Sequence, residues 1–249
     1  MGYSDGMLRN ASLMAGETYH IFNRGAHKQP LFTCADDYSR FLILLHLSNN
    51  SESILLRDTL AKYKYRGPTS GDGDVFSENV DKSLVEILGY SLMSNHFHLI
   101  LRQKSDNGIT NFMRKVCTGY AMYFNLKHEH SGTLFQGKFK SNHVNTDQYF
   151  NWIFAYVHLN PISLIESQWD EKILINPTRA QKFLDSYKYS SYYDFYTDER
   201  PERAILAYEE AKNYIEDKSD IQALLASFEQ GSDWFTEKSL SRGRTSVKT

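Results

Sequence analysis

The chain is poor in cysteine, in net charge and in long apolar runs. Its only cysteines, Cys34 and Cys117, are too few for a disulfide framework and lack the spacing of a metal-binding pair. A reducing cytoplasm is therefore the compartment that we expect. No apolar run approaches the length needed to cross a membrane, and the N-terminus lacks the apolar core of a signal peptide. We expect a soluble protein that has no membrane partner.

The balance of charge excludes a generally basic surface. The chain has 28 Lys and Arg against 30 Asp and Glu, which gives a formal net charge of −2. A local basic groove remains compatible with that total, because binding depends on patches of charge. The 17 Tyr and 15 Phe suit either core packing or base stacking. A length of 249 residues allows one large or two small domains with a real core.

Hydrophobic periodicity predicts both strands and helices, in an order compatible with an α+β fold. Thr18–Asn23 has the composition of a strand and stops at the turn signal Arg24-Gly25. Two further predicted strands, residues 84–92 and 96–102, form a hairpin around Ser94-Asn95. Helices are predicted at residues 38–47, 51–64, 109–128 and 146–160, and one or two amphipathic helices at residues 202–228. We expect an exposed loop at residues 66–74 and a disordered tail at residues 239–249.

The second hairpin strand carries two histidines on one face. His96 and His98 share a face, whereas Phe97, Leu99 and Leu101 occupy the other face and can be buried. Two neutral imidazoles so placed can bind one divalent ion. Taken alone, the pair is more typical of ordinary strand histidines. His20, on the first strand, is a possible third ligand or simply a polar residue of a strand face.

A helix with apolar residues on nearly every side follows the candidate N-cap Thr146 and ends at Pro161. Tyr156 and Asn160 are four residues apart and are therefore neighbours on one face of this helix. Taken alone, they are a core tyrosine and a helix stop.

The middle of the chain is its most basic part. Residues 134–140, Leu-Phe-Gln-Gly-Lys-Phe-Lys, have the composition of a loop and strand that contact phosphates and stack on bases. The candidate phosphate contacts are Arg24, Arg102, Lys115, Lys138 and Lys140. Each is otherwise a solvated surface charge.

Five segments in order resemble the single-tyrosine HUH transposases of bacterial insertion sequences, in particular the REP-associated tyrosine transposases. They are Tyr19-His20-Ile21-Phe22-Asn23-Arg24-Gly25, Gln29-Pro30-Leu31-Phe32, Leu92-Met93-Ser94-Asn95-His96-Phe97-His98-Leu99, Leu134-Phe135-Gln136-Gly137-Lys138-Phe139-Lys140 and Tyr156-Val157-His158-Leu159-Asn160-Pro161. Together they span about residues 16–165. Ser190-Ser191-Tyr192 is similar to a later segment of the family.

The resemblance implies a site and a chemistry. His96 and His98 match the metal-binding pair, Tyr156 matches the catalytic tyrosine, and Asn160 matches the position of a third metal ligand. The implied metal is Mg²⁺ or Mn²⁺, and the implied substrate is single-stranded DNA beside a hairpin. The tyrosine would form a covalent 5′-phosphotyrosine and free a 3′-OH. His158 and His143 are candidates for accepting the phenol proton.

The resemblance also implies an architecture, which is a central antiparallel sheet flanked by helices, of the ferredoxin-like kind found in HUH endonucleases. We expect a transposase domain at residues 1–165 and a helical, acidic C-terminal extension at residues 166–249. Both homodimers and monomers fit the family. After Asn160-Pro161 the family often continues with a basic residue and a glycine, whereas Ile162–Ile165 follow here, so DNA contacts by this stretch are in question.

Two other functions remain open at this point. One is a nucleic-acid-binding regulator that keeps the fold and no longer cleaves. The other is a metal-dependent nuclease in which the histidines activate water and Tyr156 only packs.

Overall fold

The computed structural model describes residues 13–52, 55–63, 75–80, 82–166, 168–169, 174–214, 217–219, 221–222 and 225. Its α-helices are α1 (Ala35–Leu47), α2 (Leu56–Lys62), α3 (Gly108–Lys127), α4 (Asp147–Leu159), α5 (Pro177–Ser186), α6 (Tyr192–Tyr196) and α7 (Tyr208–Lys212). None of the helices in these ranges is long and apolar enough to cross a membrane.

Four antiparallel strands form one central sheet. They are β1 (Thr18–Arg24), β2 (Val85–Met93), β3 (His96–Gln103) and β4 (Lys140–Val144), in the order β2-β3-β1-β4. The predicted hairpin is β2 and β3, joined through Ser94-Asn95. The predicted α+β fold with a central antiparallel sheet is therefore confirmed. The histidine-bearing strand, β3, is an inner strand.

One face of the sheet is closed by α1 and α3. Phe97, Leu99 and Leu101 of β3 are fully buried in a cluster with Phe41 of α1 and Phe112 of α3. The alternation of side chains along β3 then places His96, His98 and Ile100 on the opposite face. Helix α4 packs on that second face, where Phe154 and Val157 contact the cluster around Ile100. The histidines consequently lie between the sheet and α4.

A buried carboxylate ties α1 to α3. Asp37 is fully buried at the start of α1 and accepts hydrogen bonds from the backbone N–H and hydroxyl of Thr33. The ammonium of Lys127, at the end of α3, donates to it at 3.0 Å. Burial opposes ionisation, but the hydrogen bonds from Thr33, His128 and Lys127 hold the pKa of Asp37 below its ordinary value.

The chain beyond residue 165 packs on the same sheet. Leu92 N–H donates to the carbonyl of Tyr189, and Ser191 N–H donates to the carbonyl of Tyr90, so this segment covers the exposed edge of β2. The segment that contains Tyr189 and Ser191 thus closes on the sheet. Ile205 and Leu206 join the large core cluster. A domain boundary at residue 165 stays a prediction.

Several predicted bounds differ from the observed ones. Helix α2 covers only seven residues of the predicted 51–64. Residues 134–139 form a loop, since Gly137 adopts a positive φ of 102° and the strand begins at Lys140. Within the described part of the predicted helical region 202–228, a 3-10 helix (Pro201–Ile205) precedes α7. The predicted loop at 66–74 and the tail at 239–249 lie outside the described residues.

Candidate functional site

Two histidine rings meet under α4. His96 and His98 stand two positions apart on β3, and their ring centroids are 5.1 Å apart with perpendicular planes. His96 is partly exposed, whereas His98 is almost fully buried. The sheet therefore holds the pair rigidly, with one imidazole at the rim of the site and the other at its floor.

Helix α4 brings Tyr156 to this pair. The helix begins where Thr146 Oγ1 accepts a hydrogen bond from Tyr149 N–H, as predicted for its N-cap. The Tyr156 ring stands edge-on to His98 of the same chain, with centroids 5.4 Å apart, and stacks on Trp152 at 5.4 Å. Asn160 lies one turn later and is buried. One chain thus assembles both histidines and the tyrosine.

His98 is held from the side of β1. Its Nδ1 lies 2.9 Å from Nε2 of His20, and the two rings stack with centroids 5.1 Å apart. The Nε2 atom of His98 is buried and has no hydrogen-bond partner among the described residues. Burial lowers the pKa of His20 to about 3 and places the pKa of His98 well below its ordinary value. Both imidazoles are therefore neutral at pH 7.

His96 is held from the hairpin turn. Its Nδ1 lies 2.7 Å from the carboxamide oxygen of Asn95. Because a carboxamide oxygen can only accept, Nδ1 of His96 must carry the proton and its lone pair must be on Nε2. The turn itself is fixed, since Gly25 N–H donates to the carbonyl of Asn95 and Leu31 N–H donates to that of Ser94. The segments at residues 19–25 and 29–32, which carry part of the family resemblance, therefore hold this turn in place.

The two candidate proton acceptors, His158 and His143, do not face Tyr156. His158 is fully buried, and its Nε2 lies 2.7 Å from the hydroxyl of Ser191. Its pKa is lowered to about 3 by burial. His143 is paired in register with Tyr19, which belongs to the α1–α3 core, and it contacts Glu17 at 2.8 Å. Neither histidine is in a position to accept the Tyr156 proton.

The five predicted phosphate contacts fall into two groups. Arg24, Lys138 and Lys140 are exposed. Arg102 forms ion pairs with Glu86 at 2.8 Å and Glu210 at 3.4 Å.

The ammonium of Lys115 is likewise engaged within the protein, where it donates to the backbone carbonyls of Asn50 and Glu52. Arg102 and Lys115 are only partly exposed, so their charges are less accessible to a ligand than those of the exposed Arg24, Lys138 and Lys140.

The register of the strands places Lys140 on the same face of the sheet as the histidines. His98 pairs with Phe22 of β1, and Phe22 pairs with Lys140 of β4. Directly paired residues of antiparallel strands share a face. Lys140 therefore rises from the same face as His98, two strands away, which is about 10 Å at the usual strand spacing.

A metal site made only of ionisable side chains is absent from the described residues, since no three His, Cys, Asp or Glu side chains gather there.

One segment of the chain is similar to a known family. Residues 72–160 match the family model described as "Transposase IS200 like". The match includes the histidine pair and ends at Asn160. The predicted resemblance to such transposases is confirmed over this segment.

A solved structure described as "Structure of the REP associates tyrosine transposase bound to a REP hairpin" is similar to this chain. The two are 14% identical, the match covers 76% of this chain and 84% of that chain, and the TM-score is 0.44. No curated protein matches the sequence.

The sequence alone did not show that His20 contacts His98 or that Asn95 contacts His96. His20 and Phe22 share one face of β1 as His96 and His98 share one face of β3, and this spacing was a usable signal. The register between the strands, which sets His20 against His98, could not be read from either segment.

Proposed function

We propose that this protein is a transposase that cleaves and rejoins single-stranded DNA through a covalent bond between Tyr156 and a 5′-phosphate. The observation that carries the proposal is the position of the Tyr156 ring, edge-on to His98 of its own chain at 5.4 Å. The match of residues 72–160 to the IS200-like transposase model supports the class of reaction. The proposed DNA is a single strand beside a hairpin, as the family resemblance implies.

The residues present fit a divalent ion. The Nε2 atom of His98 is a buried nitrogen without a hydrogen-bond partner among the described residues, and the Nε2 of His96 carries a lone pair. The proposed ligands are these two nitrogens and the amide oxygen of Asn160. A mixed set of imidazole and amide donors accepts several divalent ions, and the phosphate substrate favours Mg²⁺ with Mn²⁺ as a substitute. When bound, the ion would polarise the scissile phosphate and offset charge in the transition state.

The proposed reaction exchanges the phosphate bond to the 3′ oxygen for a phosphate bond to Tyr156. The phenol of Tyr156 loses its proton, and its oxygen attacks phosphorus in line with the 3′ oxygen. The bond from phosphorus to the 3′ oxygen breaks, and that oxygen takes up a proton as a free 3′-OH. The new phosphotyrosine conserves the energy of the broken bond, so the 3′-OH of another strand can reverse the step. Stacking on Trp152 restricts the Tyr156 ring before attack.

The proposed path of the DNA crosses the face shared by His98 and Lys140. Arg24, which pairs in register with His96, is exposed at one end of that face. Lys138 and Lys140 are exposed at the start of β4. These three cations are our proposed phosphate contacts, because phosphate contacts fix the position of a strand relative to a site. Arg102 and Lys115 are proposed to act within the protein.

The test is incubation with a labelled single-stranded hairpin oligonucleotide and Mg²⁺ or Mn²⁺. The proposal predicts a covalent protein–DNA adduct that is stable to denaturant and is lost in Tyr156→Phe. Tyr149→Phe is the matched control, because Tyr149 belongs to the same helix and stacks on the same Trp152. It should form the adduct at the wild-type level.

Two outcomes would contradict the proposal. Cleavage that persists in Tyr156→Phe without an adduct would indicate a nuclease that uses activated water. Tight binding of a cognate site by the wild type with no cleavage would indicate a regulator.

A further inference from the structure

His20 is a buried titratable side chain to which the proposed chemistry assigns no task. It belongs to inner strand β1, and its ring stacks on His98 on one side and on Phe22 at 5.0 Å. The Tyr156 ring stands edge-on to it at 6.1 Å. His20 is therefore part of the wall of the site.

The contact between His20 and His98 constrains the proton of His98. A hydrogen bond between two imidazole nitrogens needs one protonated nitrogen and one bare nitrogen. If Nδ1 of His98 donates to Nε2 of His20, then the lone pair of neutral His98 is on Nε2. If the direction is reversed, Nε2 of His98 carries a buried N–H and cannot bind a cation.

The neighbouring histidine shows which of these arrangements suits the site. His96 donates from Nδ1 to Asn95 and therefore has its lone pair on Nε2. The first arrangement makes His98 equivalent, with Nδ1 bonded inside the protein and Nε2 bare. Only then do both imidazoles offer a lone pair to one ion.

We propose that His20 is a positioning residue that accepts a hydrogen bond from Nδ1 of His98 and so keeps Nε2 of His98 available to a divalent cation. The inference rests on the proposed metal-assisted function and deepens it. In this arrangement His20 is not a ligand, because its Nε2 accepts from His98 at 2.9 Å and its Nδ1 must therefore carry the proton. Ligand histidines are commonly oriented through their second nitrogen in this manner.

The first measurement is Mn²⁺ affinity without DNA, followed by the electron paramagnetic resonance of free Mn²⁺. His20→Phe keeps a flat ring and removes the acceptor, so Mn²⁺ should bind roughly 10- to 100-fold more weakly. His20→Gln places an amide oxygen near the former Nε2 and should retain most of the affinity. His143→Phe, on the edge strand and away from the site, is the control and should match the wild type.

The second measurement does not depend on whether the variants fold. Long-range ¹⁵N–¹H spectra of the wild type in saturating Mg²⁺ should show His98 protonated on Nδ1 and unprotonated on Nε2. Protonation on Nε2 would overturn the proposal. So would Mn²⁺ affinity in a folded His20→Phe within twofold of the wild type, or an equally large loss in His20→Gln.

These readouts are separable from the proposed function. A wild type that binds Mn²⁺ with the expected protonation of His98 but forms no adduct would refute only the tyrosine chemistry. Adduct formation with unchanged Mn²⁺ affinity in His20→Phe would refute only the role of His20.

Discussion

Lys140 and Arg102 provide a sharp test of the proposed DNA path, because they share a face of the sheet but differ in exposure. Lys140 is exposed at the start of β4, about 10 Å from His98 across β1. Arg102 is only partly exposed and is held by Glu86 and Glu210. We predict that Lys140→Gln weakens DNA binding, whereas Arg102→Gln weakens the fold.

The expected magnitude follows from counterion release. Each phosphate contact on a single strand contributes about 0.7 to the slope of log K against log salt. Loss of the Lys140 contact should therefore reduce that slope by about 0.7, which over a fourfold rise in salt is a difference of roughly 2.5-fold in affinity. Arg102→Gln should leave the slope unchanged and lower the free energy of unfolding by about 1 kcal/mol, because its ion pairs are partly solvated.

The assay is fluorescence anisotropy of a labelled single-stranded hairpin oligonucleotide, in chelator to prevent cleavage, at several salt concentrations. Urea unfolding of both variants supplies the stability comparison. The reasoning is refuted if Arg102→Gln reduces the salt slope as much as Lys140→Gln does. An unchanged slope in Lys140→Gln would remove Lys140 from the path.

Three further predictions concern the support of the site, its third ligand and the source of its tyrosine. Asp37→Asn should lower the free energy of unfolding by about 3 kcal/mol at pH 7, because it leaves a buried network without its carboxylate; Asp36→Asn, its exposed neighbour, should change it by less than about 0.5 kcal/mol. Since the pKa of Asp37 is depressed in the folded state, its contribution to stability is complete above the unfolded pKa of about 3.9 and is lost progressively as the pH falls below that value. The free energies of unfolding of the two variants in urea should therefore differ less at pH 3 than at pH 7. Asn160→Ala should weaken Mn²⁺ binding by on the order of tenfold or more in paramagnetic titration while binding DNA normally in chelator, and equal Mn²⁺ affinity would exclude it as a ligand. A mixture of Tyr156→Phe with His98→Ala should form no adduct if each tyrosine serves its own chain, and recovery of adduct on mixing would show that subunits exchange tyrosines.

The sequence was sufficient to predict the elements that depend on local patterns. The hairpin of β2 and β3, the long helix α3 and the N-cap at Thr146 follow from alternation, helical spacing and capping chemistry. These features are set by neighbours along the chain, so one sequence contains the information. The loop and strand predicted at residues 134–140 divide at Lys140, and the positive φ of Gly137 lies in the loop part.

The parts that the sequence could not predict depend on register and on packing across the sheet. Nothing local distinguishes Arg102 from Lys140, because the partners of Arg102 are Glu86 on the next strand and Glu210 on α7. His158 is similar, since only the return of Ser191 to the sheet shows that its imidazole is engaged there. Charges and histidines were therefore easier to find in the sequence than to assign.

The two faces of the sheet meet different requirements of the proposed site, which are rigidity for the histidines and freedom of movement for the tyrosine. On the α1–α3 face, Phe97 and its neighbours are fully buried, so β3 is fixed by packing that involves none of the reacting groups. On the α4 face, Tyr156 is only partly buried and stands against the rings of His98 and Trp152. A nucleophile that must first reach a phosphate and later release it needs some freedom, whereas its metal ligands need little. The alternation of a single strand provides both, because it puts the rigid core behind the histidines and leaves their own face to the tyrosine.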